Sequence, residues 1–203
     1  MAGMPMIGRL IERVRQASSL DALVLATSWE PDDDGLAEYG TSLGVPVVRG
    51  SEADVLSRFL TAADRYDAQA VVRLTGDNPL VDDRLVDLTV RAFLDADPPV
   101  DYVTTADPNS GFPLGLTVEI VRTAALRATY AERCAESREH VTWHVRQRLD
   151  KFRQLVVRAP VSLPTTPVTV DTLEDFLRVE ALFANLSRKW PRFPYTALAT
   201  ADA

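Results

Sequence analysis

The residues best placed to do chemistry lie in Arg73-Leu74-Thr75-Gly76-Asp77-Asn78-Pro79-Leu80, where an acid follows a Gly at the end of an apolar run. An acid at the carboxyl end of a buried strand stands where open α/β sheets bind their ligands. A carboxylate there suits Mg²⁺ bridging phosphate oxygens. The same residue types also satisfy a plainer account, in which Gly76, Asp77, Asn78 and Pro79 make a turn and Asp77 bonds its own backbone. On the residues alone, the turn is the default. A second strand-end acid occurs in Val168-Thr169-Val170-Asp171-Thr172-Leu173-Glu174-Asp175-Phe176. Asp171 and Glu174 have capping-box spacing, which puts Asp171 at a helix N-cap; capping and holding a cation are compatible.

Three further groups carry weaker signals. His140 and His144 are spaced i, i+4 on a helix expected over residues 138–146, as in a zinc site, but no third ligand accompanies them. Asp32, Asp33 and Asp34 read as a solvated, helix-starting face; their D-x-D spacing also occurs in metal-dependent glycosyltransferases. Cys134 is the sole cysteine, so it forms no internal bridge; it reads as a small buried apolar residue in a reducing compartment.

The elements that must position these residues alternate. Apolar spacing predicts an opening helix through Met6, Ile7, Leu10, Ile11 and Val14. A strand follows over 22–27, a helix with Leu36, Tyr39 and Leu43, and a strand over 45–48, which Pro46 places at a sheet edge. A helix through Val55 to Ala63 leads to a strand over 70–74, and a helix through Leu85 to Leu94 leads to a strand over 100–104. Such alternation predicts an α/β fold, Rossmann-like, with a mostly parallel sheet and helices on both faces. The second half is less regular: a loop over 111–115, strands over 116–121 and 154–158, and a last helix from about Leu173 to Ser187.

With 203 residues, 46% hydrophobic and 25% charged, the chain suits one domain, or one with a small appendage, with ample apolar material for a core. The net charge of −7 argues against nucleic acid, whose binders carry a basic field, but not against a nucleotide held through a cation. No apolar run is long enough for a membrane span and no signal-peptide pattern opens the chain, so the expected location is cytoplasmic.

In this order, the quoted segments resemble the cytidylyltransferase family of the spore-coat polysaccharide biosynthesis type. The resemblance includes 44–56, Thr75 to Leu80, Arg138-Glu139-His140-Val141-Thr142 and Thr169 to Phe176. More distant likeness extends to enzymes that activate sialic acid and ketodeoxyoctonate. The resemblance implies a nucleotide-diphospho-sugar transferase-like fold. It also implies CMP transfer from CTP to an acidic sugar in surface or coat polysaccharide synthesis, with Mg²⁺ on Asp77 and Asp171. Arg73, Glu119, Glu139 and His140 are implied as substrate contacts, and a homodimer is a compatible assembly. Two departures stand beside it. The family's opening strand and its Arg- and Lys-bearing phosphate loop have no counterpart, which would leave a sheet position unfilled. Of the acids expected near the acceptor, Leu114-Gly115-Leu116-Thr117-Val118-Glu119 keeps only Glu119. The alternatives are a start recorded too far downstream and a homologue without catalysis, serving as a binding or partner subunit. A metal-dependent glycosyltransferase is a third option.

Overall fold

In the computed structural model, which describes residues 1–132 and 138–200, the chain is α/β, with its strands divided between two sheets. Helix α1 (Met6–Val14) buries Leu10, Ile11 and Val14, one face of its 3.6-residue period. Strands β1 (Leu25–Ser28) and β2 (Val47–Gly50) pair in parallel around helix α2 (Asp34–Ser42). Helix α3 (Val55–Arg65), N-capped by Asp54, then crosses to strand β3 (Ala70–Arg73). Helix α4 (Asp83–Leu94) is capped by Asp82, whose carboxylate accepts from Leu85 N at 3.0 Å.

Strands β4 (Tyr102–Thr104), β5 (Glu119–Arg122) and β6 (Gln154–Val156) join β3 in a four-stranded sheet of order β3-β5-β4-β6. Here the parallel expectation needs one correction: β5 runs antiparallel to both β3 and β4. The physical reason lies between β4 and β5. That connection is a Gly- and Pro-bearing loop with no helix, and without a helical crossover neighbouring strands run antiparallel. Helices α5 (Thr123–Ala131), α6 (Trp143–Gln147) and α7 (Leu173–Lys189) complete the chain.

Alternation along the strands divides the core between the sheet faces. Val103 and Ile120 face a cluster with Leu10, Val14, Val90 and Phe183 from α1, α4 and α7. Tyr102 and Val121 face a second cluster with Leu56, Leu126 and Val145 from α3, α5 and α6. Helices on both faces are therefore borne out. The helix expected over 138–146 is broken at 140–142, so His140 and His144 share no helix face. Cys134 lies outside the described residues. Among those residues no helix is long and apolar enough to cross a membrane.

Candidate functional site

The carboxyl end of β3 runs into the turn at Thr75–Leu80. The turn is closed by Asn78, whose N donates to Thr75 O at 3.2 Å and whose Nδ2 donates to Thr75 Oγ1 at 2.9 Å. The side chain expected to make the turn, Asp77, is thereby released from it. Asp77 Oδ1 is buried and without a hydrogen-bond partner among the described residues. A buried carboxylate oxygen left unpaired costs free energy unless a cation or donor reaches it. Arg13 braces the turn from behind, donating to Leu80 O and Val81 O at 3.0 and 3.2 Å and stacking over Phe193. Burial lowers the Arg13 pKa and raises that of Asp82, whose carboxylate lies 3.9 Å from it.

The second acid is brought to the first by backbone. Val170 N donates to Asp77 O at 2.9 Å, and Thr169 Oγ1 lies 3.5 Å from Asp77 Oδ2. Asp171 follows directly and is exposed. The capping expectation is corrected by one residue: Thr172 is the N-cap of α7 and Asp175 its capping-box partner. Asp175 is held down at about 2, first by its hydrogen bond from Thr172 and then by Arg178. A Thr hydroxyl with an acid three residues on satisfies two orphan N–H groups reciprocally, which leaves the Asp171 side chain outside the cap. Gly115 lets the third strand of backbone approach. Its φ is +100°, and a Cβ there would collide with Thr169 N and Val168 C. Leu114 O in turn accepts from Val168 N at 2.6 Å.

Glu119, expected at the substrate, is corrected to a buried anchor. It is 2% exposed and accepts from Tyr102 Oη and from Thr142 Oγ1 on Oε1, and from Arg73 Nη1 on Oε2. Its negative charge and hydrogen bond, with burial first, drive the Tyr102 phenol pKa upward. Arg73 is fixed by this pair, with its buried Nε unpartnered among the described residues. Glu139 and His140 are exposed on the turn whose far side is Thr142. One buried carboxylate therefore ties that turn to the strand that leads to Asp77. The acidic trio is divided. Asp33 accepts from Thr27 Oγ1 at 2.7 Å and Ser28 N at 2.9 Å, and Asp34 pairs with Arg49 at 2.6 Å. It is therefore not simply a solvated face.

Among the described residues no three His, Cys, Asp or Glu side chains gather closely enough to hold a metal by themselves. Two carboxylates with an orphaned buried oxygen still fit a hard cation that takes its other ligands from phosphate and water.

The model of a family described as cytidylyltransferase matches residues 1–183. The chain belongs to the cytidylyltransferase family. An uncharacterized protein of Methanocaldococcus jannaschii is 35% identical over 170 residues, 82% of this chain and 68% of that protein. The spore coat polysaccharide biosynthesis protein SpsF of Bacillus subtilis is 34% identical over 182 residues, 86% of this chain and 73% of that one. A solved cytidylyltransferase of Leptospira borgpetersenii superposes with a TM-score of 0.88 at 29% identity, covering 96% of this chain and 81% of that one. Several parts of this cytidylyltransferase's site were missed in the sequence. Tyr102 had no local motif to mark it, and Thr142 and Thr169 stood inside quoted segments without a role of their own, as did Asn78 inside a recognised turn; Thr172-Asp175 has the same spacing as the capping box read one residue early.

Proposed function

We propose that the chain transfers CMP from CTP to an acidic sugar in the synthesis of a surface or coat polysaccharide. The observation that carries this reading is the orphaned buried Oδ1 of Asp77, with Asp171 one residue beyond the tether from Val170 N to Asp77 O. Asp77 and Asp171 would hold Mg²⁺, which neutralises phosphate charge when bound. The sugar hydroxyl oxygen bonds to the α-phosphorus as the bond to the pyrophosphate oxygen breaks, and the hydroxyl proton leaves to solvent. The protein contributes position more than proton transfer. Thr169 and the Asn78 turn hold the metal-binding carboxylates. Arg73, steadied by Glu119, offers positive charge beside the phosphates, and the exposed Glu139 and His140 stand on the acceptor side.

The test is pyrophosphate release from CTP with Mg²⁺ and a sugar acid such as ketodeoxyoctonate. Asp77→Ala should lower the rate at least on the order of 100-fold while leaving the unfolding midpoint unchanged or higher, because a buried unpaired oxygen is removed. An active Asp77→Ala protein overturns the metal assignment. One observation favours a second reading, a homologue without catalysis: the acceptor-side loop's only acid, Glu119, is buried and engaged. Calorimetry of CTP with Mg²⁺ separates the two, since absence of binding heat supports the second.

A further inference from the structure

Leu80 and Val81 join the Asp77 turn to α4, and both are buried. Their carbonyl oxygens accept no main-chain N–H among the described residues. A buried carbonyl needs a donor, and the Arg13 fork supplies one to each. Val81 N donates in turn to Asn78 O at 3.3 Å. Arg13 thereby reaches, through Val81, the residue that closes the turn and leaves the Asp77 side chain free.

Arg13 is itself held by a segment far away in sequence. Its side chain is only 8% exposed, and a guanidinium so buried is stable only when its charge and its faces are met. The Phe193 ring covers one face, with its centroid 4.2 Å from Arg13 Cζ. Phe193 in turn meets Phe183 of α7 edge-on, 5.2 Å between centroids. The facing carboxylate, Asp82, is tied to the same segment. One of its oxygens caps α4, and the other accepts from Tyr195 N at 2.9 Å.

The Tyr195 ring extends the support to the second acid. It lies against Phe112, 5.9 Å between centroids, in the loop that ends at Gly115. Leu114 and Gly115 of that loop pack on the backbone of Val168 and Thr169, just ahead of Asp171. Two buried aromatic side chains, one residue apart in sequence, therefore contact the supports of both carboxylates.

We propose that Phe193 and Tyr195 are positioning residues, which hold the backbone carrying Asp77 and Asp171 in its cation-binding arrangement before a cation arrives. Left to itself, the unpaired Asp77 oxygen favours a turn that swings it out to water. A brace that opposes this movement does the ordering in advance, so the loss of freedom does not weaken binding. The proposal rests on the reading of Asp77 and Asp171 as metal ligands.

The experiment uses the full chain and Mn²⁺ as a probe of the site, with affinity read by water-proton relaxation. Hydrogen exchange at two amides reports each arm of the brace: Asn78, which donates to Thr75 O, and Val168, which donates to Leu114 O. Phe193→Leu keeps apolar bulk and removes the ring, whereas Arg13→Lys keeps the charge and removes the fork. Each should weaken Mn²⁺ binding about tenfold and speed Asn78 exchange on the order of tenfold. Their combination should add little to either alone, because both act along one path. Tyr195→Leu should instead speed exchange at Val168. Leu198→Val trims another buried side chain of the segment; it should lower the urea midpoint yet leave Mn²⁺ affinity and both amides near wild type. Equal effects of Leu198→Val and Phe193→Leu on Mn²⁺ overturn the proposal, since the segment would then be ordinary packing. So does unchanged Mn²⁺ affinity in both Phe193→Leu and Arg13→Lys when the wild type binds more tightly than Asp77→Ala. Wild-type binding no tighter than that of Asp77→Ala sinks the metal assignment itself, and the proposal with it.

Discussion

The two sheets are held by different means. The β3-β5-β4-β6 sheet is pinned through its middle by a buried charge: Glu119 gathers Tyr102 from β4, Arg73 from β3 and Thr142 from the His140 turn. The β1–β2 pair has nothing comparable. It is tied by main-chain pairing, by α2 and α3, by Asp33 reaching Thr27 and Ser28 at the strand's exit, and by the half-buried Arg49 of β2 donating to Ser28 O at 2.7 Å. Its other edge lines an apolar cavity shared with β3. Two paired strands are marginal on their own, so the four-stranded sheet gives the site its rigidity. The acids of the site accordingly hang from the pinned sheet, where a shift of 1 Å is costly to positioning.

Substitutions that remove the pin should show the largest effect. Glu119→Ala leaves the Arg73 charge and two hydroxyls without their shared partner, and should cost about 3 kcal/mol, measured by urea denaturation. A loss of about 1 kcal/mol or less, as for an exposed ion pair, would mean that the carboxylate is not the clasp. Gly115→Ala comes next. The new Cβ meets the Thr169 backbone and φ is +100°, so a cost of about 2 kcal/mol is expected. Because Thr169 must retreat, exchange at the Val170 amide should rise, a local signal that a diffuse loss of stability would not give.

The sequence disclosed the two halves unequally. Helix periodicity located α1, α3, α4 and α7, and the apolar runs located the six strands of the described residues to within a few residues, but the strand expected ahead of Asp171 does not form: residues 168–170 have no ladder partner. Those signals are local, and burial writes them into adjacent positions. The direction of β5 was carried by a missing helix, which is a weaker mark than a present one. Asp77 was legible as a candidate because it ends a strand, but its freedom was not, since the turn is made by the Asn78 side chain. Glu119 was misplaced for a related reason. Its partners are 46, 23 and 17 residues away in sequence, and no spacing rule reaches that far. The divided sheet was anticipated only through family likeness.

Thr172→Ala and Asp171→Ala test the join between the site and α7. The first removes the cap and should cost about 1 kcal/mol in thermal or urea unfolding. The second should leave stability within about 0.5 kcal/mol, since its side chain bonds nothing in the cap. Equal losses would return Asp171 to the capping role.

The smallest effect belongs to β1. The Ser28 hydroxyl first, then Thr27 and the Ser28 amide, hold the Asp33 carboxyl down at about 2. A carboxyl whose folded pKa lies below its unfolded value stabilises the fold above the unfolded pKa, and that contribution is lost as pH falls through the folded one. For Asp33 the window therefore runs from about 4 down to 2. Global unfolding is a poor monitor here, because Asp82, raised by burial, shifts stability in the opposite sense as pH falls. A local probe avoids this: the Ser28 amide proton donates to Asp33, and its chemical shift should titrate with a midpoint at about 2. Asp33→Asn should abolish that titration. A midpoint near the ordinary 3.8 would show the bond to be loose, and β1 would then be held at its exit by main-chain pairing and by Arg49, whose Nε donates to Ser28 O at 2.7 Å.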